Sequence, residues 1–314
     1  MIQLALGIDI GGTNTAFGLV DHYGTIIFEE SQPTKNFSTP EDLITFLYNH
    51  IEIKKNLNSI IGIGIGAPNG NHFTGTIEYA PNLEWKGIIP LQSLFEKQFN
   101  KPTQLTNDAN AAAVGEKMFG AAKTFKNFVT VTLGTGLGSG IYIDNQLVYG
   151  AHGIAGEYGH IRVIPHGRQC KCGRLGCLET YVSATGVVRS IKELKSTISH
   201  NSEIHTIVNP SAKDVFQLAE KGDAFCKEII DYTAETLGSS LADFAAFSDP
   251  EAFILFGGIA QSGSLFANKV KEAMEKNILN IYKDKITITT STLHDQNAAI
   301  LGNAATIFLN TNTL

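Results

Sequence analysis

Cysteine is scarce in this chain, four residues in 314, too few for a disulfide framework to organise the fold. Long apolar runs are missing as well: none approaches the ~18 residues that a membrane-spanning helix needs. The N-terminus, MIQLALGIDIGG, lacks a basic segment and places Asp9 where a signal peptide requires apolar residues. Basic charge is not in excess. The formal net charge of −6 provides no electrostatic footprint for nucleic acid. These absences predict a cytoplasmic protein with neither membrane nor nucleic acid as its partner. Two familiar phosphate motifs are also missing. No G-x-x-x-x-G-K-[ST] occurs, which excludes a P-loop. Gly62-Ile63-Gly64-Ile65-Gly66-Ala67 fits a loose dinucleotide fingerprint, but Pro68 and Asn69 follow where such a fold must start a helix.

What is present is ordinary globular material, 43% hydrophobic and 17% charged, long enough for about two domains. Strand patterns alternate with helix patterns, which predicts an α/β architecture. Strands are expected over Leu4–Ile10, Thr15–Val20, Thr25–Phe28, Ile60–Ile65, Asn127–Leu133, from Ile141, and over Phe253–Phe256. Helices are expected over Glu41–Leu57, with Leu43, Phe46, Leu47 and Ile51 on one face, and over Asp108–Phe119, Ala212–Lys221 and Ala224–Phe247. A final helix carries Ile300, Leu301, Ala304, Ala305 and Phe308 on one stripe.

The few cysteines are not scattered. Cys170, Cys172 and Cys177 fall within eight residues, with His160 and His166 upstream. Three thiolates and one imidazole form a closed tetrahedral set suited to structural Zn2+; the alternative is three reduced thiols packed as small apolar side chains. Spacing does not choose between His160 and His166.

An internal echo links the two halves. LALGIDIGGTNTAFGLVD and FVTVTLGTGLGSGIYID share one plan: apolar strand, glycine-threonine turn, apolar strand, closing aspartate. Such a hairpin brings backbone N–H groups to the rim of a sheet, and glycine lets a phosphate approach them. A pair of them predicts a duplicated fold with nucleotide phosphates held between the halves.

LGIDIGGTNTAFGLVD, TNDANAAAVGE, TLGTGLGSG, AGEYGH and CKCGRLGCLE together resemble the ROK family of sugar kinases and sugar-responsive repressors, from about Leu4 through Gly257-Gly258. Within it, NDANAAAVGE and GCLETYVSATG most resemble the wording of bacterial glucokinases. The resemblance implies an actin-like, ribonuclease H-like ATPase: a duplicated α/β fold of two domains with a cleft between them. The expected boundaries are residues 1–118 with 298–314 for the smaller domain and 119–297 for the larger. It further implies ATP-dependent phosphorylation of a sugar's 6-hydroxyl. Asp108 would be the base, and Asn82, Asn107, Glu157, His160 and Glu179 the sugar ligands. From the residues alone, Asp108 reads as a helix N-cap, each glutamate as a solvated loop charge, and Asn82 as a turn residue.

ATP would lie over Gly11, Gly12, Thr13, Asn14, Gly134, Thr135, Gly136 and Gly138, with Asp9 orienting hydrated Mg2+ and Gly257-Gly258 against the adenosine. The family also points to His160, with Cys170, Cys172 and Cys177, as the zinc ligands. One imidazole nitrogen would then face the metal and the other the sugar. A hexose is the expected partner, glucose first, with fructose, N-acetylglucosamine and N-acetylmannosamine as alternatives, and the resemblance is compatible with a homodimer. With the first strand expected from Leu4, a repressor's DNA-binding helices are not expected ahead of it.

Overall fold

The computed structural model describes residues 2–80, 82–195, 201–261, 264–293 and 295–310. The chain divides into two compact units. Unit 1 comprises Met1–Thr124, Leu147–Ala155 and Thr292–Leu314; unit 2 comprises Phe125–Gln146 and Gly156–Ser291. The strap Leu147–Ala155 groups with unit 1, a return that boundaries at 118/119 and 297/298 do not include.

In unit 1, β1 (Leu4–Ile10), β2 (Asn14–Asp21) and β3 (Ile26–Pro33) form an antiparallel meander, followed by α1 (Pro40–Asn49), α2 (Ile51–Asn56) and β4 (Ile60–Gly66). Three short strands, β5 (Gly70–Asn71), β6 (Thr76–Glu78) and β7 (Ile88–Ile89), make a small separate sheet. Then come α3 (Leu91–Phe99), β8 (Thr103–Thr106) and α4 (Asp108–Met118). The main sheet has the order β3-β2-β1-β4-β8, with β1, β4 and β8 parallel. Its core gathers Leu6, Ile8, Phe17, Ile63, Ile65 and Phe95, all fully buried.

The C-terminal helix, Asp295–Asn310, returns to unit 1 and packs on β1, β4 and α4. The alternation in Gly62-Ile63-Gly64-Ile65-Gly66 has its explanation here. Ile63 and Ile65 enter the core, while the glycine face lies under this helix. A Cβ on Gly64 would strike the Asn303 carbonyl, and one on Gly7 the Ile300 carbonyl. Residues that look like a nucleotide fingerprint are therefore a helix-packing surface. The expected stripe of Ile300, Leu301, Ala304, Ala305 and Phe308 is buried.

In unit 2, β9 (Phe128–Leu133), β10 (Leu137–Ile143) and β11 (Gln146–Leu147) open the sheet. Helices α5 (Glu179–Val182), α6 (Ala184–Leu194), α7 (Ala212–Glu220) and α8 (Ala224–Ser248) precede β12 (Ala252–Phe256), α9 (Ser264–Asn277) and β13 (Thr287–Thr290). The strand order is β11-β10-β9-β12-β13. β9 and β10 pair antiparallel, while β9, β12 and β13 run parallel. The plan of unit 1 is repeated, as the echoed hairpins predict.

Two local expectations fail. The single helix expected over Glu41–Leu57 is broken at His50, whose backbone is extended (φ −61°, ψ 132°). The His50 ring lies among Phe17, Phe28 and Phe46, and its Nε2 is 3.1 Å from Glu30 Oε2. Seating that ring turns the chain, and Ile51 is left exposed instead of on the apolar face. The strand expected from Ile141 begins at Leu137, because the turn before it is only three residues long.

Candidate active site

The parallel strands of unit 1 align their carboxyl ends. Register pairs Asp9 with Gly66 and Gly66 with Thr106, so the three form one row across β1, β4 and β8. With strands about 4.8 Å apart, that row spans roughly 10 Å, and it lies at the edge where open α/β sheets bind ligands. Gly66 contributes no side chain to it. Asp9 comes from β1, and the chain after Thr106 delivers Asn107 and Asp108.

The helix opening there separates two roles. Asn107 is the N-cap of α4, its Oδ1 accepting the Asn110 N–H at 2.7 Å. Asp108 is therefore not the cap; its Oδ1 accepts the adjacent Ala109 N–H at 2.9 Å. The carboxylate keeps an exposed face, yet surrounding protein pushes its pKa above the usual carboxylate range. Asp9 is raised as well, to about 7, by burial first and then by the charge of Asp108.

Beside Asp9, Gly11 N–H donates to Asn14 O at 2.9 Å and closes the first hairpin turn. Gly12 is packed against Asn82: a Cβ there would lie 2.8 Å from the Asn82 carbonyl oxygen. Gly12, Thr34, Lys35, Asn82 and Trp85 line one small recess of unit 1. The Asn82 loop is pinned by Trp85, whose Nε1 donates to Phe37 O at 3.0 Å. Thr13 and Asn14 complete the turn.

In unit 2 the second hairpin turns through Gly134-Thr135-Gly136, with Gly134 N–H donating to Gly136 O at 3.1 Å. The start of α6 holds its outer side: Ala184 N–H donates to Gly134 O at 2.9 Å and Thr185 Oγ1 to Thr135 O at 3.0 Å. Gly138 N–H is already engaged, donating to Thr132 Oγ1 at 3.0 Å. At the end of β12, Gly257 adopts φ 99°, and a Cβ would crowd Leu133 O at 2.8 Å, so the Gly257-Gly258 turn lies against the end of β9.

The cysteine loop folds back on itself through bridges Arg162–Cys177 and Gln169–Leu175. One nitrogen and three sulfur atoms, from His160, Cys170, Cys172 and Cys177, lie within 4.8 Å of one another. Cys172 Sγ is 3.7 Å from Cys177 Sγ, and His160 Nδ1 is 3.6 Å from Cys170 Sγ. Tetrahedral Zn2+ with ordinary bond lengths requires about 3.8 Å and about 3.6 Å for these separations. The residues fit the metal. His166, exposed and with φ 56°, lies outside the set. His160 Nε2 points the other way, 3.9 Å from Glu157 Oε2, at the 3-10 turn Tyr158–His160.

Glu179 is not a solvated loop charge. Its Oε2 accepts the Leu137 N–H at 3.0 Å and occupies the space a Cβ on Gly136 would need; its Oε1 is 4.0 Å from Cys170 Sγ. It ties the cysteine loop to the second hairpin.

Arg168 is absent from the sequence reading. Its buried guanidinium donates to Thr180 O (2.6 Å), Gly186 O (3.1 Å), Ser190 Oγ (2.8 Å) and Glu193 Oε2 (2.8 Å), and lies 4.4 Å above the Tyr181 ring. It anchors the base of the cysteine loop to α5 and α6, with the sulfur cluster at the tip. An arginine amid loop residues carries no pattern that would reveal this.

The ROK family's sequence profile matches residues 5–309. The chain belongs to the ROK family. A glucokinase of Streptomyces coelicolor is 35% identical over 280 residues, covering 87% of this ROK chain and 87% of that protein. A xylose repressor of Caldicellulosiruptor bescii is 34% identical over 307 residues, covering 95% of the chain and 76% of the repressor. A ROK family glucokinase from Streptomyces griseus, solved in complex with glucose and AMPPNP, superposes with a TM-score of 0.76 at 31% identity, covering 96% of this chain and 98% of that one. The fold is the actin-like ATPase fold, as the family resemblance implied. Among the described residues, no helix is long and apolar enough to cross a membrane.

The raised Asp9 makes a prediction for ligand-free protein without divalent cation. An acid whose pKa rises on folding costs stability only when ionised. The cost is absent below the ordinary value of 3.8, grows with pH and is complete above about 7. Asp9→Asn removes it, so the gain in denaturation midpoint should be larger at about pH 8 than at about pH 4. An equal gain at both would refute the assignment.

Proposed function

We propose that this ROK protein is an ATP-dependent hexose kinase that phosphorylates the 6-hydroxyl of glucose. The observation that carries the reading is Asp108: a carboxylate at the carboxyl edge of β8, relieved of capping by Asn107, in a chain similar to glucokinases along its length. Phosphoryl transfer asks the protein for positioning and charge stabilisation more than covalent chemistry.

In this reading Asp108 accepts the proton of the 6-hydroxyl as it attacks the γ-phosphate. Its raised pKa improves it as a base. Asn107 uses Oδ1 in its cap and is assigned to the sugar chiefly through its Nδ2 donors. Asn82, Glu157, His160 Nε2 and Glu179 are assigned to the remaining sugar hydroxyls. The ATP phosphates are assigned to the turns Gly11–Asn14 and Gly134–Gly136, and the adenosine to Gly257-Gly258. Gly138 is assigned to the same turn, although its N–H is taken by Thr132. Asp9 is assigned to orient the hydration shell of Mg2+, which when bound would neutralise phosphate charge. His160 Nδ1, Cys170, Cys172 and Cys177 would hold Zn2+, which when bound fixes the imidazole's tautomer and braces the loop ahead of Glu179. The likeness to xylose repressors supports a second reading, a sugar-responsive regulator without catalysis.

A coupled assay with ATP across glucose, fructose, mannose and the N-acetylhexosamines tests the reading. Glucose should have the highest kcat/KM. A tenfold lead for another sugar, about 1.4 kcal/mol of transition-state preference, would replace the substrate; binding without turnover of any sugar would favour the regulator. Asp108→Asn keeps the shape of the side chain but cannot take a proton. It should lower kcat by ~10²–10⁴ with sugar affinity little changed, and near-normal kcat would overturn the mechanism. Cys172→Ser should lower zinc content per chain and weaken sugar binding in calorimetric titration, while ATP-analogue binding persists in the folded fraction. Normal sugar binding by folded, zinc-free protein would make the cluster incidental to the pocket.

A further inference from the structure

The first glycine hairpin is not held by its own turn alone. Thr34, just past the end of β3, reaches it twice. Its N–H donates to Thr13 O at 2.9 Å, and its hydroxyl donates to Gly11 O at 2.7 Å. A second hydroxyl completes the arrangement: Thr15 Oγ1 lies 3.0 Å from Thr34 Oγ1. Thr34 has one hydroxyl proton, already given to Gly11, so Thr15 donates to Thr34. Each O–H in the chain thus has a defined direction, and both threonines are buried. A donor that also accepts is polarised, which strengthens its own hydrogen bond.

The consequence follows from peptide geometry. The Gly11 carbonyl and the Gly12 N–H belong to one planar trans peptide and point in opposite directions. Drawing the Gly11 oxygen toward Thr34 therefore aims the Gly12 N–H away from it. Thr34's own N–H does the same to the next peptide but one, holding Thr13 O and so directing the Asn14 N–H. Among the described residues, the N–H groups of Gly12 and Thr13 have no protein partner. The turn is a short, glycine-containing segment. Without the clamp its peptide planes could rotate at little steric cost, because Gly12 has no Cβ.

We propose that Thr34 is a positioning residue for phosphate recognition: its hydroxyl, backed by Thr15, orients the Gly11–Gly12 peptide so that the Gly12 N–H faces the nucleotide's phosphates. Thr34 touches no substrate itself. The ligand class is a nucleoside triphosphate, and the inference rests on the ATP reading above. A threonine placed only for packing would serve as well if replaced by its isostere valine. The clamp needs the hydroxyl.

The test compares Thr34→Val, which keeps shape and loses the hydroxyl, with Thr34→Ser, which keeps the hydroxyl. Wild-type protein is first titrated with a fluorescent ATP analogue. Absence of binding there removes the nucleotide reading itself, independently of any variant. Given binding, Thr34→Val should raise the KM for ATP and the analogue's Kd by about five- to tenfold, the loss of one oriented hydrogen bond. The sugar KM should not move, and Thr34→Ser should return ATP affinity to within about twofold of wild type. If Thr34→Val does not fold, Thr34→Ala, which removes the same hydroxyl without valine's branched bulk, is read in the same way. Folded hydroxyl-free protein with wild-type ATP KM, or with ATP and sugar KM raised alike, would overturn the proposal.

Discussion

The closeness of the C-terminal helix to β1 and β4 is the constraint on which unit 1 depends. Carbonyl groups of Ile300 and Asn303 occupy the space that side chains at positions 7 and 64 would take. Helix and sheet normally stand about 10 Å apart, with side chains interleaved; contact here is nearly backbone to backbone. Asn303 adds a buried hydrogen bond, its Nδ2 donating to Ile8 O at 2.7 Å, one residue before Asp9. The strand that delivers an acidic side chain to the carboxyl edge is thereby fixed along its length and across its face. A close-packed interior transmits displacement with little loss, so the position of Asp9 inherits the rigidity of that seam.

The same economy appears at both glycine hairpins, by different means. In the first, hydroxyl groups from β2 and from the end of β3 secure the turn. In the second, the amide and hydroxyl at the start of α6 hold the turn's carbonyls, while Glu179 takes the Leu137 N–H. The two units share a strand plan but brace their turns with different groups. The division between Asn107 and Asp108 follows a similar logic. Two adjacent polar residues at a helix start could each have capped it. By taking that position, the amide leaves the carboxylate without a capping role.

Much of this was legible beforehand where chemistry repeats or clusters. The hairpin echo announced a sheet plan that occurs twice, and three cysteines in eight residues announced a tetrahedral set. Spacing alone left His160 and His166 equivalent; the family resemblance preferred His160, and the 3-10 turn at Tyr158–His160 is what brings its ring to the sulfur atoms. Other features depend on tertiary partners that no local pattern encodes. The helical periodicity through Leu57 is real, but the seat for the His50 ring among three phenylalanines outweighs it. The glycine alternation in β4 resembles a ligand motif until the helix that covers it, some 240 residues later, is in view. Arg168 gains its meaning from carbonyl groups twelve and eighteen residues onward.

The seam between the C-terminal helix and β1 also bears on how the chain is made. Synthesis proceeds from the N-terminus, and domains commonly fold in the order in which they emerge. Here the first strand waits for nearly the last helix. Gly7, Gly62 and Gly64 leave a face of β1 and β4 with little side chain to cover it, and Asp295–Asn310 lies against it. Unit 2 is complete once Ser291 has been added, whereas unit 1 lacks a wall of its core until Asp295–Asn310 has been made. The unit that carries Asp9 and Asp108 is therefore completed after unit 2, although its first strand is made first.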